Sequence, residues 1–216
     1  MIERLRWFGQ SSILFLDGKI IYIDPWEIPN DQPKADLILI THTHFDHCSP
    51  EDVKALAKPE TVVVGPPDCL EHVGYGAKGL KAAPGEKILP LGFNIHVVPA
   101  YNLKAERLNF HPKSNHWVGY ILEVSGTKYY HAGDTDEIPE MKEITTDVAF
   151  LPIGGTYTMD VYEAVSAAKT IKPKLVCPMH YAKVPGVGSE GDGEKFVLEC
   201  SKAGLKAEVL KRYSRV

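Results

Sequence analysis

The 216-residue sequence predicts an α/β protein in which two β-sheets pack face to face and helices cover the outer faces. Two observations lead to this fold class. Short apolar runs separated by turn signals recur along the chain, which indicates many short strands. In the last third, strands alternate with helices, a pattern typical of sheets that carry helices on one face. Layer packing of these elements gives an α/β sandwich.

The strands are predicted from the apolar runs and the turn signals between them. They are expected at 2–7, 12–16, 19–23, 35–41, 61–64, 88–91, 94–99, 118–124, 127–131, 147–151, 175–177 and 207–210. The dipeptide Asp17-Gly18 between two of these runs is typical of a hairpin turn. The branched aliphatic run within 35–41 predicts a strand that is covered on both faces.

The helices are predicted from their capping signals. They are expected after 49, over 160–171 and over 194–203. Ser49 precedes a proline and two acidic residues, an order typical of a helix start. Asp160 and Glu163 are spaced as a capping box, and apolar residues follow them at helical spacing.

Composition and charge limit the functional classes. The formal net charge of −4 gives no general attraction for nucleic-acid phosphates or anionic membranes. No apolar run approaches the roughly 20 residues of a membrane span, and the first residues lack a signal-peptide pattern, so a cytoplasmic protein is expected. Four scattered cysteines predict free thiols, and the length predicts a single domain over 1–216.

A cluster of histidines is the first sign of chemistry. His42, His44 and His47 fall within six positions, with Asp46 among them, directly after the predicted buried strand. In an extended segment the side chains of His42 and His44 share a face. Two converging imidazoles suit a divalent metal, and Asp46 with His47 suit a second one. The alternative is a set of solvated surface histidines.

This H-x-H-x-D-H pattern resembles the signature of the metallo-β-lactamase superfamily. Further segments similar to that superfamily follow its order, at 23–25, 132–135, 151–160 and 176–181. Together they most resemble the ascorbate-6-phosphate lactonase-like branch of small metal-dependent hydrolases. The resemblance implies a four-layer αββα sandwich of two mixed sheets flanked by helices.

The resemblance also implies a site for two divalent ions, with Zn or Mn expected. It assigns His42 and His44 to one ion, Asp46, His47 and His180 to the other, and Asp134 to both as a bridge. The implied activity is hydrolysis of a small ester, lactone or phosphoester by a hydroxide held between the ions. Asp46 and Asp134 are the catalytic carboxylates in this interpretation, and Asp134 holds the hydroxide and shuttles its proton.

The third ligand of the first ion departs from the common pattern. Relatives often have His where this chain has Asn102. The following loop offers His111 and His116, and His111 is favoured because relatives that share Ala-Tyr-Asn also have His-Pro at this point. His116 is then expected to face the substrate or a ligand, and Asn102 to orient one of them. The long loop 100–117 is expected to carry function.

Two more residues are candidates for supporting roles. Asp24 ends a predicted strand, and its carboxylate suits the second ring N–H of a metal-bound histidine. The alternative is a strand-terminating residue ahead of a proline. Tyr157 is a candidate for substrate binding or, equally, for packing.

Several other functions compete with a small-molecule hydrolase. The superfamily includes nucleases, but the chain has no basic run and a negative net charge, which disfavours nucleic acid. A metal-binding protein without activity and an iron oxidoreductase on the same fold are further alternatives. A homo-oligomer is compatible with the exposed edge strands of such sandwiches, and no membrane partner is expected.

Overall fold

The computed structural model describes residues 1–213 and contains two six-stranded sheets. The first sheet has the order β1-β2-β3-β4-β5-β6, with β1 Leu5–Trp7, β2 Ile13–Asp17, β3 Lys19–Ile23, β4 Leu37–Leu39, β5 Val62–Gly65 and β6 Leu80–Lys81. The second has the order β12-β11-β10-β9-β8-β7, with β7 Lys87–Ile88, β8 Ile95–Pro99, β9 Val118–Val124, β10 Thr127–His131, β11 Val148–Pro152 and β12 Leu175–Met179. Each sheet joins antiparallel hairpin strands to parallel strands, so both are mixed, as predicted.

Within residues 1–213, four α-helices accompany the sheets, namely α1 Pro50–Leu56, α2 Pro67–His72, α3 Val161–Ile171 and α4 Asp192–Lys202. The predicted caps are confirmed. The Ser49 hydroxyl accepts a hydrogen bond from the Asp52 amide at 3.1 Å at the start of α1. Asp160 and Glu163 form the reciprocal capping box of α3. None of the helices within residues 1–213 has the length and apolar character to span a bilayer.

The core lies in layers, as the fold class requires. Between the sheets, the Phe15 ring meets the Tyr129 ring edge to face at 5.0 Å, and the Tyr120 hydroxyl donates to the Ile40 carbonyl at 2.6 Å. On the outer face of the first sheet, Leu14 and other buried side chains pack with the buried residues of α1 and α2. The inter-sheet core continues into the buried faces of α3 and α4. All four cysteines are buried free thiols, as predicted.

The predicted strands 88–91 and 207–210 are wrong over most or all of their length. The run 88–91 contributes only Ile88 to β7, because Pro90 lacks an N–H for a sheet and Leu91 adopts a left-handed φ of 52° within a short 3₁₀ turn. The run 207–210 forms no strand. Ala207 makes an isolated parallel bridge with Val176 at the edge of β12, and the pairing extends no further.

The carboxyl ends of several strands meet at one edge of the sandwich. The loop after β4 reaches the start of β9, where the Val118 amide donates to the Thr41 carbonyl at 3.2 Å. Gly133, after β10, packs there too, and a Cβ on it would lie 2.7 Å from the Val118 carbonyl oxygen and 3.3 Å from Thr41 Cβ. Its φ of 64° also favours glycine. The candidate functional residues lie at this edge.

Candidate metal centre

Loops from both sheets bring the predicted ligands to this edge. The segment after β4 supplies His42, His44, Asp46 and His47. Further side chains come from the loop before β9, the end of β10 and the end of β12, namely His111, Asp134 and His180. All are buried except His44, which is half-buried. Ends of parallel strands at one edge are the usual place for such sites.

One group of side chains lies around His42. His42, His44, His111 and Asp134 each place one donor atom within 4.8 Å of the others. His42 Nε2 is 3.1 Å from His44 Nδ1 and 3.8 Å from Asp134 Oδ2. His111 Nε2 is 3.3 Å from the same carboxylate oxygen. Three imidazoles and one carboxylate suit a divalent transition metal. This group is called cluster 1.

A second group, called cluster 2, adjoins the first. Asp46, His47 and His180 also place their donor atoms within 4.8 Å of one another. His180 Nε2 is 3.4 Å from Asp46 Oδ2 and 3.0 Å from Asp134 Oδ2. Asp134 Oδ1 is 3.4 Å from His47 Nε2. Asp134 therefore contacts the histidines of both clusters.

The donor atoms fit divalent ions. His47 Nε2, His111 Nε2 and Asp134 Oδ1 are buried polar atoms without a hydrogen-bond partner, and all three point to this group. Buried polar atoms nearly always have a hydrogen-bond partner. Three such atoms without a partner in one place therefore indicate a binding site for an ion. Imidazole nitrogen and carboxylate oxygen are ligands that both Zn and Mn accept.

Charge in the centre is strongly coupled. Burial favours the neutral acid of Asp134, but the neighbouring His180 and His47 outweigh it and hold the pKa of this carboxyl well below its usual range. Burial lowers the pKa of His180, yet Asp134 and Asp46 raise it overall to about 9. Burial and the adjacent His111 lower the pKa of His44 to about 4. The carboxylates stay ionised in a buried place and attract positive charge.

Asp24 lies where an orienting carboxylate is expected. Its Oδ2 is 2.8 Å from His47 Nδ1, so the opposite ring nitrogen of His47 faces cluster 2. The Thr41 amide and hydroxyl donate to the two Asp24 oxygens at 2.8 and 2.7 Å and fix the carboxylate. The arrangement is a carboxylate–histidine pair of the kind that orients metal ligands.

Asn102 and His111 form a second supported pair. Asn102 Oδ1 lies 2.9 Å from His111 Nδ1 and accepts from the His111 amide at 3.1 Å. The Nδ1 contact turns His111 Nε2 toward Asp134. His116 is exposed at the end of a 3₁₀ turn, with φ 54°, and is not part of either cluster. Of the two histidines in this loop, the structure thus brings only His111 to the centre.

Gln10 was not singled out from the sequence. Gln10 is fully buried, and its Nε2 donates to Asp46 Oδ2 at 2.9 Å. Its backbone carbonyl accepts from the His180 amide at 3.0 Å. One residue therefore supports two members of cluster 2. No motif marks it, because the contact depends on how the first hairpin packs against the end of β12.

We expect Gln10→Leu to weaken metal binding at cluster 2 by about 10- to 100-fold, since it removes the donor that fixes Asp46. A titration against a competing chelator measures the effect. Ser11→Ala is the matched control, because the Ser11 hydroxyl is buried next to Gln10 and has no hydrogen-bond partner. Equal affinities for Gln10→Leu and Ser11→Ala would contradict this role of Gln10.

Two aromatic residues border the centre. Trp117, which the sequence did not single out, packs against the rings of His42 and His44 with centroids 5.1 Å apart in both cases, and its Nε1 donates to Asp68 at 2.8 Å. Tyr157 was a candidate for substrate binding. Its backbone carbonyl accepts from Asn102 Nδ2 at 3.1 Å, and its ring is 36% exposed at the rim.

Comparison with known proteins identifies the family. The sequence model of the beta-lactamase superfamily domain matches residues 4–180. A UPF0173 metal-dependent hydrolase of Thermus thermophilus is 33% identical over 226 residues, which cover 98% of this chain and 96% of that protein. The crystal structure of a protein from Parabacteroides distasonis has a TM-score of 0.83 at 32% identity, covering 97% of this chain and 93% of the other.

A second solved structure agrees. Igni18, a metallo hydrolase from the archaeon Ignicoccus hospitalis, has a TM-score of 0.78 at 30% identity, with 98% of this chain and 96% of the other covered. These similarities span nearly the full length of each protein. They confirm the superfamily and the fold that the histidine motif predicted. The chain belongs to the beta-lactamase superfamily, within its UPF0173 metal-dependent hydrolases.

Proposed function

We propose that this protein hydrolyses a small ester, lactone or phosphoester with two divalent ions, Zn or Mn, one at each cluster. The observation that carries the proposal is the position of Asp134. Its carboxylate lies 3.3 Å from His111 of cluster 1 and 3.0 Å from His180 of cluster 2, so one side chain serves both. A carboxylate that contacts both ligand sets suits a dinuclear hydrolytic site.

His42, His44 and His111 would hold the first ion, Asp46, His47 and His180 the second, with Asp134 shared. When bound, such ions lower the pKa of a coordinated water from about 15.7 to near 7 and polarise the oxygen of the scissile bond. Asp134 is ionised and contacts both ligand sets, so in this proposal its carboxylate would orient the nucleophile and shuttle its proton.

The remaining residues position the reacting groups. Asp24 and Asn102 hold the rings of His47 and His111, and Gln10 holds Asp46. Fixed ligands keep the reacting atoms in line, which lowers the entropic part of the barrier. Burial of the clusters strengthens each electrostatic interaction there. No serine or cysteine nucleophile is needed for this chemistry.

A small substrate is favoured over nucleic acid. The chain carries a formal net charge of −4 and has no run of basic residues to follow a phosphate backbone. A small-molecule hydrolase is the function most consistent with these properties. Self-association through the exposed sheet edges is compatible with this proposal and is not required by it.

Removal of metal tests the proposed function directly. We expect exhaustive chelation to abolish hydrolysis of simple lactones, aryl esters and bis-aryl phosphodiesters, and addition of Zn or Mn to restore it. Free metal at the same concentration is the control for uncatalysed turnover. Full activity after chelation would rule out the proposal, and metal binding without any turnover would favour a non-catalytic metal-binding protein.

A further inference from the structure

We propose that the mouth of the metal centre binds an uncharged apolar group, so that the substrates are neutral esters or lactones with an aliphatic or aromatic substituent. This inference rests on the proposed hydrolase function and adds the substrate class. Three exposed aromatic side chains define the site, Phe45, Phe110 and Tyr157, and they are called the apolar rim. Phosphorylated lactones and phosphoesters are disfavoured substrates under this proposal.

Each member of the apolar rim is tied to the metal centre. Phe45 lies between His44 and Asp46 in the sequence and is 64% exposed. Phe110 directly precedes His111 and is 36% exposed. Tyr157 is linked to His111 through the side chain of Asn102. Phe45 and Phe110 are therefore sequence neighbours of cluster residues, and Tyr157 is joined to one of them through hydrogen bonds.

Aromatic contacts hold the side chains of the apolar rim in place. The Phe110 and Tyr157 rings meet edge to face with centroids 4.7 Å apart, and Phe45 meets Trp26 in the same way at 5.6 Å. These aromatic side chains are held in place and yet expose apolar surface to water. A bound apolar ligand would cover that surface, which is favourable. Such exposure is typical of binding sites.

Buried ion pairs and hydrogen bonds hold the loop that carries Phe110. The buried Arg107 guanidinium lies 2.8 Å from both Asp136 and Glu163 and donates to the Gly155 carbonyl at 2.9 Å. The Leu103 amide also donates to Asp136, at 2.8 Å. The backbone of this loop is therefore held in place, and its exposed apolar side chains are preorganised for binding.

Charge around the mouth disfavours a phosphate site. Four cationic residues lie in the segments that surround the centre, over 41–49, 100–117, 153–160 and 181–192, and each is paired with a carboxylate: Lys104 with Glu163, Arg107 with Asp136 and Glu163, Lys113 with Glu140, and Lys183 with Glu27. Recognition of a phosphoryl group relies on Arg or Lys that is available to it. Within these described segments, no cation remains without a carboxylate partner.

Lactones of increasing side-chain length test the proposal on the metal-loaded protein. We expect kcat/KM for unphosphorylated γ-lactones to rise about two- to fourfold for each added methylene over the first few carbons. A phosphorylated sugar lactone is expected to react at least about tenfold more slowly than the best alkyl lactone. Preference for the phosphorylated lactone would overturn the proposal.

Variants of the rim connect this selectivity to the named residues. Phe45→Ser and Phe110→Ser are expected to flatten the dependence on chain length. Leu89→Ser is the matched control, because Leu89 is 63% exposed and follows β7, which runs away from the centre. It is expected to keep the wild-type dependence. An unchanged dependence in both rim variants would overturn the proposal.

A binding measurement separates this inference from the proposed function. Calorimetry with acetate, hexanoate and decanoate, as product analogues, is expected to show affinity that rises with chain length in the wild type and not in Phe110→Ser. Such binding without any lactone hydrolysis would contradict the proposed hydrolase function and support the apolar site. Hydrolysis that does not depend on chain length would support the hydrolase function and contradict the apolar site.

A second copy of the chain is the competing occupant of the rim. Sedimentation of the wild type and the rim variants distinguishes the two. If Phe45→Ser dissociates an oligomer and leaves the chain-length dependence intact, the rim is a subunit interface and the proposal is wrong. An unchanged oligomeric state with flattened selectivity supports a substrate site.

Discussion

Asp134→Ala is expected to lower kcat/KM for any substrate of this protein by at least about 1,000-fold. Among the described residues 1–213, Asp134 is the carboxylate that contacts histidines of both clusters, at 3.3 Å from His111 and 3.0 Å from His180. Its loss removes negative charge from both and takes away the proton acceptor of the proposed mechanism. Electrostatic and metal contributions of this kind supply several kcal/mol of barrier lowering.

The same variant is expected to lose bound metal. Metal content after desalting, together with steady-state kinetics, measures both effects, and circular dichroism shows whether the fold is retained. Asp147→Ala is the control, since Asp147 lies outside the centre, bonded to the Lys128 amide and Lys174. An Asp134→Ala protein with wild-type turnover would contradict the role assigned to this carboxylate.

His111→Ala is expected to empty cluster 1 while cluster 2 keeps its ion. Loss of a partner that merely orients a ligand already weakens metal binding by about 10- to 100-fold, so loss of the ligand itself is expected to cost at least about 100-fold. His111 belongs to the donor set of cluster 1 and not to that of cluster 2. Activity is expected to fall by a similar factor.

His116→Ala is the natural comparison, because the same loop supplies it and its side chain is exposed. We expect it to retain both ions and most of the activity. The two variants can be compared by metal content per chain and by turnover of one lactone. If His116→Ala loses an ion and His111→Ala does not, the assignment of the first ligand set is reversed.

Local signals predicted the fold well where the sequence contains the whole interaction. The hairpin at Asp17-Gly18 and the capping box of Asp160 with Glu163 form as expected, since each depends on residues a few positions apart. The strand prediction for 207–210 was wrong because the apolar pattern does not indicate how many of these residues pair with β12. Only Ala207 reaches Val176 in bridge geometry.

The candidate site shows the same division. His42, His44 and His47 were visible because they lie close together in the sequence. Gln10 was not, because Gln10 and Asp46 are 36 positions apart in the sequence. Their side chains meet only when the first hairpin packs in the folded protein. Trp117 was likewise hidden, since its contacts with the imidazoles come from the packing of β9 against the loop after β4.

Metal content per chain is the most direct test of the central claim that the two clusters hold two ions. Protein purified without chelator, exposed to excess Zn or Mn and then desalted, is measured by plasma mass spectrometry. The shared position of Asp134 between cluster 1 and cluster 2 predicts about two equivalents. One equivalent would contradict the dinuclear site, and none would remove the proposed chemistry from this fold.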